Sequence, residues 1–227
     1  MNENKTSTML GLKGIPNISE EIQIMRDITI LEYTGGNLHI PTISTAKSLE
    51  LIRQAKNKGL NITCSTCIHN LFFNDENLIS FNTNFKVLPP LRTQYDIDEL
   101  IKGVKDGSID MVTSDHNPLD IELKNVEFDN ADFGTIGLES FFGAMNTIFS
   151  AKTTINVLTR GKKLFGIEDS SLTIGAQADI SLFNPISNYT FSENKIFSIS
   201  KNSIFKDSVL KGLVYGSISN GKFITNG

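Results

Sequence analysis

The sequence has few cysteines and no excess of basic residues, and each shortage excludes a class of function. Two cysteines among 227 residues are too few for a four-cysteine structural zinc site. Lysine and arginine total 21 against 25 acidic residues, which gives a net charge of -4. The basic residues are also spread along the chain, so no electrostatic footprint for nucleic acid or for a membrane surface is present.

Long apolar runs are missing as well. No run approaches the roughly 20 residues of a membrane span, and the residues from Met1 to Ser7 lack the apolar core of a signal peptide. A cytoplasmic location is therefore the expectation. The hydrophobic content of 39% predicts a soluble globular protein with one large core, or with a large core and a small one.

Both cysteines lie in a Cys-x-x-Cys motif formed by Cys64 and Cys67, with His69 two residues further on. A structural zinc site needs four ligands, and no second Cys/His pair lies at a useful spacing. A redox motif of this kind belongs at the start of a helix, whereas this one ends a strand-like run. Buried, reduced thiols are the favoured interpretation, with His69 in a structural position in the loop.

Helical and strand-like patterns alternate along the first two thirds of the chain. Apolar strands are predicted at 37–43 and 60–67, and residues at helical spacing lie between them, which indicates a parallel sheet. Ser19, Ser44 and Asp96 are the predicted N-caps of three helices. After Gly166 the pattern changes to short strands separated by glycines, which predicts a small antiparallel β module. We therefore expect domains at 1–166 and 167–227.

The segment from Ile109 to Pro118 contains the candidate catalytic residues. The apolar run from Ile109 ends at Asp115 and His116, immediately before an Asn-Pro turn. This arrangement is typical of a catalytic carboxylate at the mouth of an α/β barrel. The alternative is that Asp115 only caps the turn at Asn117 and Pro118.

Several segments resemble, in order along the chain, motifs of the dihydroorotases of the amidohydrolase superfamily. The segment 113–118 is similar to T-D-H-A-P, and 133–139 is similar to F-G…G-L-E. The others are 38–45 (L-H-I-x-H-x-S-T), 68–71 (P-H-H-L), 86–92 (K-V-N-P-P-L-R) and 175–185 (G-x-x-A-D-L-x-x-F-x-P).

The resemblance implies the C-terminal part of a TIM-type (β/α) barrel of the metal-dependent hydrolase type, plus the small antiparallel β module. The start of the chain resembles an interior stretch just past the fifth barrel strand. The family's H-x-H motif, its bridging Lys or Asp and its fifth-strand His would then lie before Met1. About three barrel strands remain, and their unpaired edges predict a homo-oligomer or binding to the missing N-terminal half.

The resemblance also implies a function for particular residues. The carboxylate at the Asp115 position ligates zinc and acts as the general base that returns a proton to the amide nitrogen, in the interconversion of dihydroorotate and carbamoyl aspartate. Phe133, Gly134 and His116 are expected to contact this small-molecule substrate. His39 aligns with a non-ligand histidine and is expected to be a hydrogen-bonded core residue.

Three positions depart from the family pattern. Thr42 stands where a metal-ligand histidine is expected on the sixth strand, and a neutral hydroxyl is a poor ligand for such a site. Leu88 replaces an asparagine that would contact substrate, and Leu119 replaces a histidine. These replacements predict a decayed active site and impaired catalysis.

Three functions are therefore compatible with the sequence. The first is a zinc-dependent enzyme of pyrimidine synthesis, and the second is a non-catalytic homologue that serves as a structural or regulatory partner of aspartate transcarbamoylase. The third is a binding module that uses Phe133, Gly134 and Arg92, but the apolar Leu88 and Leu119 disfavour tight binding of a charged ligand.

Overall fold

The fold is described from a computed structural model, in residues 1–167 and 172–225. The helices are α1 (Lys5–Leu10), α2 (Asn17–Thr34), α3 (Ala46–Asn57), α4 (His69–Phe72), α5 (Gln94–Asp106), α6 (Ile121–Lys124), α7 (Leu138–Ile148) and α8 (Ala151–Arg160). The strands are β1 (Leu38–Ile40), β2 (Ile62–Cys67), β3 (Met111–Thr113), β4 (Ile180–Thr190), β5 (Val209–Ser219) and β6 (Lys222–Thr225). Within these residues, no helix is both long and apolar enough to cross a membrane.

The first sheet is the parallel sheet that the alternating pattern predicts. Its strand order is β1-β2-β3, with Leu38 opposite Ile62 and Ser65 opposite Met111. Helix α3 connects β1 to β2, while α4 and α5 lie between β2 and β3. All three strands therefore end at the same edge of the sheet, which is where α/β barrels carry their active sites.

The predicted helix caps lie close to the observed caps but are not the same residues. Pro16 precedes α2, and the Ser19 hydroxyl only donates to the Pro16 carbonyl. Thr45, and not Ser44, caps α3 by accepting from the Ser48 amide. In the capping box of α5, Thr93 is the N-cap and accepts from the Asp96 amide, while the Asp96 carboxylate accepts from the Thr93 amide.

The second sheet is the predicted antiparallel module. Strand β5 pairs with both β4 and β6, in the order β4-β5-β6. It packs on α7, where Gly143 lies so close to Tyr189 and Leu210 that a Cβ atom would clash. Asn146 of α7 donates to the carbonyls of Pro185 and Lys211.

One apolar cluster extends from Ile24 of α2 through Leu49 and Leu100 to Leu210 of β5. Burial of apolar surface in this cluster contributes to the stability of both sheets together. The division into domains at 1–166 and 167–227 stays a prediction, and residues 168–171, 226 and 227 lie outside the described residues.

Helix α2 has an unusual outer face. Ile24 and Leu31 pack into the core, but the opposite face exposes Ile22, Ile30 and Tyr33. The outer face of a surface helix is normally polar. We therefore expect this exposed apolar face, which lies beside the unpaired edge of β1, to bind protein.

We expect the chain to associate through this face at micromolar concentration, because association removes the apolar side chains from water. Light scattering should give a mass above that of one chain. Joint Ile22→Lys and Ile30→Lys replacement should lower the mass, whereas Ile121→Lys, at an exposed isoleucine elsewhere, should not. A monodisperse monomer for the unmodified chain would contradict the prediction.

Candidate functional site

The polar residues singled out by sequence lie at the carboxyl edge of the parallel sheet. Thr42 follows β1, Cys67 ends β2 and Asp115 follows β3. Thr42 and Asp115 both have left-handed backbone conformations, with φ of 52° and 46°. Such angles are uncommon for residues other than glycine and recur at functional sites, so the chain turns sharply where it leaves β1 and β3.

The carboxylate of Asp115 lies beside the Cys67 thiol. This carboxylate is half-buried, and burial raises its pKa above the usual range for aspartate, although a hydrogen bond from the Cys67 thiol opposes the shift. A carboxylate with a raised pKa can exchange a proton at a pH closer to neutrality. The environment of Asp115 thus suits the predicted role of general base.

His69 is the residue whose importance the sequence did not reveal. It is completely buried, and neither ring nitrogen has a hydrogen-bond partner in the part of the chain that the structure describes. Burial lowers the pKa of the ring to about 3, so the imidazole is neutral at physiological pH. Its Nε2 atom lies 4.0 Å from Oδ2 of Asp115, which is too far for a hydrogen bond.

Cys67 completes a cluster with these two side chains. The ligand atoms of Cys67, His69 and Asp115 all lie within 4.8 Å of one another. Burial, followed by the charge of Asp115, raises the pKa of the Cys67 thiol well above its usual value. The expectation that both cysteines are buried and unpaired is confirmed, but only the tertiary structure brings Asp115 to Cys67 and His69.

His116 and the segment 133–137 lie beside each other. His116 pairs with Thr135 in an isolated parallel bridge, and its Nδ1 accepts from the Gly137 and Leu138 amides at the start of α7. Gly134 has a φ of 156°, and a Cβ atom there would clash with Asn117. These contacts give His116 and Gly134 structural roles, and their contact with substrate stays a prediction.

Phe133 is held at the surface by a lysine. The Lys86 ammonium lies 5.0 Å from the centre of the Phe133 ring and also donates to the carbonyls of Phe128 and Asp129. Lys124 is buried nearby and donates to the carbonyls of Thr83, Lys86 and Asp132. Together the two lysines join the long connections 71–90 and 119–137.

Arg92 is not free to bind a ligand. Its buried guanidinium donates to Ser44 Oγ at 3.0 Å, to Asn2 Oδ1 at 2.9 Å and to the Ile15 carbonyl at 2.7 Å. Glu20 lies 3.8 Å away and accepts from the Ser44 amide, so these groups form one buried polar network. These hydrogen bonds disfavour the binding module, the third function compatible with the sequence, because that function requires Arg92 to bind a ligand.

His39 differs from expectation. It is hydrogen-bonded to Thr63 and Ser65, as predicted, but the side chain is exposed and not in the core, because it lies on the solvent-facing side of β1. It borders a cleft of about 540 Å³ that is also lined by Thr42, Leu88 and Arg92. Asp115 does not line this cleft, and a larger cleft of about 820 Å³ lies elsewhere, between α8 and β4.

Solved structures of other proteins share the fold of this chain. L-hydantoinase (dihydropyrimidinase) from Arthrobacter aurescens matches with a TM-score of 0.85 and 23% identity, over 92% of this chain and 49% of that chain. Dihydropyrimidinase from Brevibacillus agri matches with a TM-score of 0.83 and 24% identity, over 92% and 49%. The chain thus has the fold of a partial amidohydrolase-type α/β barrel with a small antiparallel sheet.

Sequence comparison identifies the family more narrowly. The chain is 41% identical to a dihydroorotase of Caldanaerobacter subterraneus over 98% of its length, and 42% identical to one of Acetivibrio thermocellus over 99%. The chain belongs to the dihydroorotase family. It spans about half the length of the curated relatives it matches, 53% and 54% in these two cases. No protein-family model matches the chain.

Replacement of Lys124 tests how much its hydrogen bonds between the two long connections contribute to stability. Replacing Lys124 by Met leaves three carbonyls without their donor, so the free energy of unfolding at pH 7 should fall by about 3 kcal/mol. Urea denaturation measures the loss. Lys152→Met, at an exposed lysine of α8, should change stability little.

The difference in unfolding free energy between the parent protein and Lys124→Met should also depend on pH. Burial, then the charge of Lys86, lowers the pKa of Lys124 to about 8, below its value of 10.5 when exposed. Between these two values the unfolded chain holds a proton that the folded chain has released, so the stability of the parent should rise with pH relative to Lys124→Met. A stability difference that narrows from pH 8 to pH 10 would contradict this assignment.

Proposed function

We propose that this chain is a dihydroorotase-like protein in which interconversion of dihydroorotate and carbamoyl aspartate is impaired. Identity of about 41% to proteins named dihydroorotase supports the family part of the proposal. The proposal that catalysis is impaired rests on Thr42, because this residue occupies the position where the family resemblance predicts a metal-ligand histidine.

The zinc ligands expected from the family are not all matched by the residues of this chain. Asp115 is a suitable ligand, but the Thr42 hydroxyl is neutral and replaces an imidazole. Zinc at a complete site polarises a carbonyl and lowers the pKa of a water molecule. The family's arrangement of ligands therefore does not fit, and we assign no catalytic step to zinc held in that arrangement.

The surroundings of Thr42 also disfavour binding of a charged substrate. Leu88 is half-exposed at the same cleft and replaces the asparagine that the resemblance predicts as a substrate contact. The arginine in the lining, Arg92, is already engaged by Ser44, Asn2 and Ile15. A carboxylate placed beside Leu88 would lose hydrogen bonds to water without replacement.

Turnover in both directions tests the proposal directly. The native protein, supplied with zinc, should neither hydrolyse dihydroorotate nor cyclise carbamoyl aspartate above the rate in buffer. Asp115→Ala should then be indistinguishable from the parent. The Acetivibrio thermocellus relative provides the positive control for assay conditions. Saturable turnover that disappears in Asp115→Ala would refute the loss of catalysis.

A second candidate function is a structural partner of aspartate transcarbamoylase. The exposed apolar face of α2 favours a role in binding another protein. An inactive dihydroorotase-like domain of the CAD-like multifunctional protein of Chaetomium thermophilum shares the fold, with a TM-score of 0.60 and 17% identity over 86% of this chain and 53% of that chain.

Light scattering of a mixture with aspartate transcarbamoylase from the same organism tests this second candidate. We expect a complex with a mass above that of either protein. Joint Ile22→Lys and Ile30→Lys replacement should abolish it, and Ile121→Lys should leave it intact. If light scattering gives only the separate masses of the two proteins in every mixture, the proposal that aspartate transcarbamoylase is the partner is wrong.

A further inference from the structure

The cluster of Cys67, His69 and Asp115 presents three different metal-binding groups to one point. Cys67 is the last residue of β2, His69 is the first residue of α4, and Asp115 follows β3. Their ligand atoms lie within 4.8 Å of one another. The first two side chains are completely buried, while the Asp115 side chain is 33% exposed, so the cluster is closed on one side and open on the other.

The buried imidazole of His69 is not explained by packing. Among the described residues, neither of its nitrogen atoms has a hydrogen-bond partner, although buried polar groups in folded proteins nearly always have one. Oδ2 of Asp115 lies 4.0 Å from Nε2, which is too far for a hydrogen bond. A cation that binds between the imidazole and the carboxylate would give Nε2 of the ring a partner.

We propose that Cys67, His69 and Asp115 bind a zinc-class divalent cation, with a fourth coordination position open toward solvent beside Asp115. In tetrahedral zinc sites, a nitrogen and an oxygen ligand lie about 3.4 Å apart, as follows from metal–ligand distances near 2.1 Å. The observed 4.0 Å between Nε2 and Oδ2 requires a small inward movement of the side chains. The carboxylate can make that movement because its side chain is partly exposed.

The ligand chemistry selects the class of metal. A thiolate with an imidazole suits zinc, cadmium and cobalt, whereas magnesium and calcium prefer sites made of oxygen atoms. Three protein ligands with an open position are also the arrangement of catalytic, and not structural, zinc sites. The set shares only Asp115 with the ligands that the family resemblance predicts, and the threonine at position 42 does not take part.

This proposal goes beyond the proposed loss of hydrolysis and does not depend on it. A cation at the cluster could coexist with an inactive protein, because binding requires only the three ligands, whereas the reaction also requires bound substrate. Metal binding is therefore measured directly, without an activity assay. Failure of the metal site would leave the conclusion about dihydroorotate turnover unchanged.

Cobalt(II) titration of the metal-free, reduced native protein tests the site. Tetrahedral cobalt with a thiolate ligand should give intense visible absorption and a near-ultraviolet charge-transfer band, saturating at one cobalt per chain. Zinc added afterwards should remove both. Cys67→Ser should lose the charge-transfer band, whereas Cys64→Ser, at the other buried cysteine, should keep it.

Zinc competition against a chromophoric chelator supplies the second measurement. His69→Gln and Asp115→Asn should each weaken zinc binding at least tenfold, while His39→Gln, at an exposed histidine of β1, should not. Circular dichroism confirms that each variant is folded, and Asp115→Asn at the partly exposed position decides the outcome if a core variant unfolds. Absence of the band in the parent, its retention in Cys67→Ser, or unchanged zinc affinity in Asp115→Asn would overturn the proposal.

Discussion

Hydrogen bonding between three parallel strands is the constraint on which the rest of the structure depends. Parallel pairing requires a connection that returns to the same end of the sheet, so α3 crosses between β1 and β2, and α4 with α5 between β2 and β3. Every strand then ends at one edge. Side chains far apart in the chain, such as Cys67 and Asp115, meet there because the ladder places Cys67 opposite Thr113.

Most buried charged groups of the molecule maintain this arrangement and are not available for chemistry. Arg92 joins the start of the chain to the loop after β1, and Lys124 joins the two long connections by three carbonyl contacts. Both side chains are nearly inaccessible to water. Three hydrogen bonds from Lys124, and three from Arg92 together with Glu20 at 3.8 Å from its guanidinium, compensate for the burial of these two cations. The neutral imidazole of His69 differs from these cations, because neither of its nitrogens has a hydrogen-bond partner among the described residues.

The sharp turns after β1 and β3 show that residues with different side-chain chemistry can adopt the same backbone conformation. Thr42 and Asp115 share a left-handed backbone, yet only Asp115 has a side chain that binds metal well. The backbone conformation is set by the ladder and by contacts such as that of the Thr42 amide with Ser65 Oγ. Threonine at position 42, where the family resemblance predicts a histidine, is therefore compatible with this fold.

The sequence by itself determined the alternation of strands and helices, the antiparallel module, the family and the placement of Asp115 at a strand end. These features depend on local periodicity and on residues that are contiguous in the chain. Only the tertiary structure decided which residue capped each helix, that His39 is exposed, that Arg92 is occupied, and that His69 and Cys67 face Asp115. The caps depend on the backbone conformation at each helix start. The other outcomes depend on distances between segments that lie far apart in the chain, which are set by strand register and packing and leave no local pattern in the sequence.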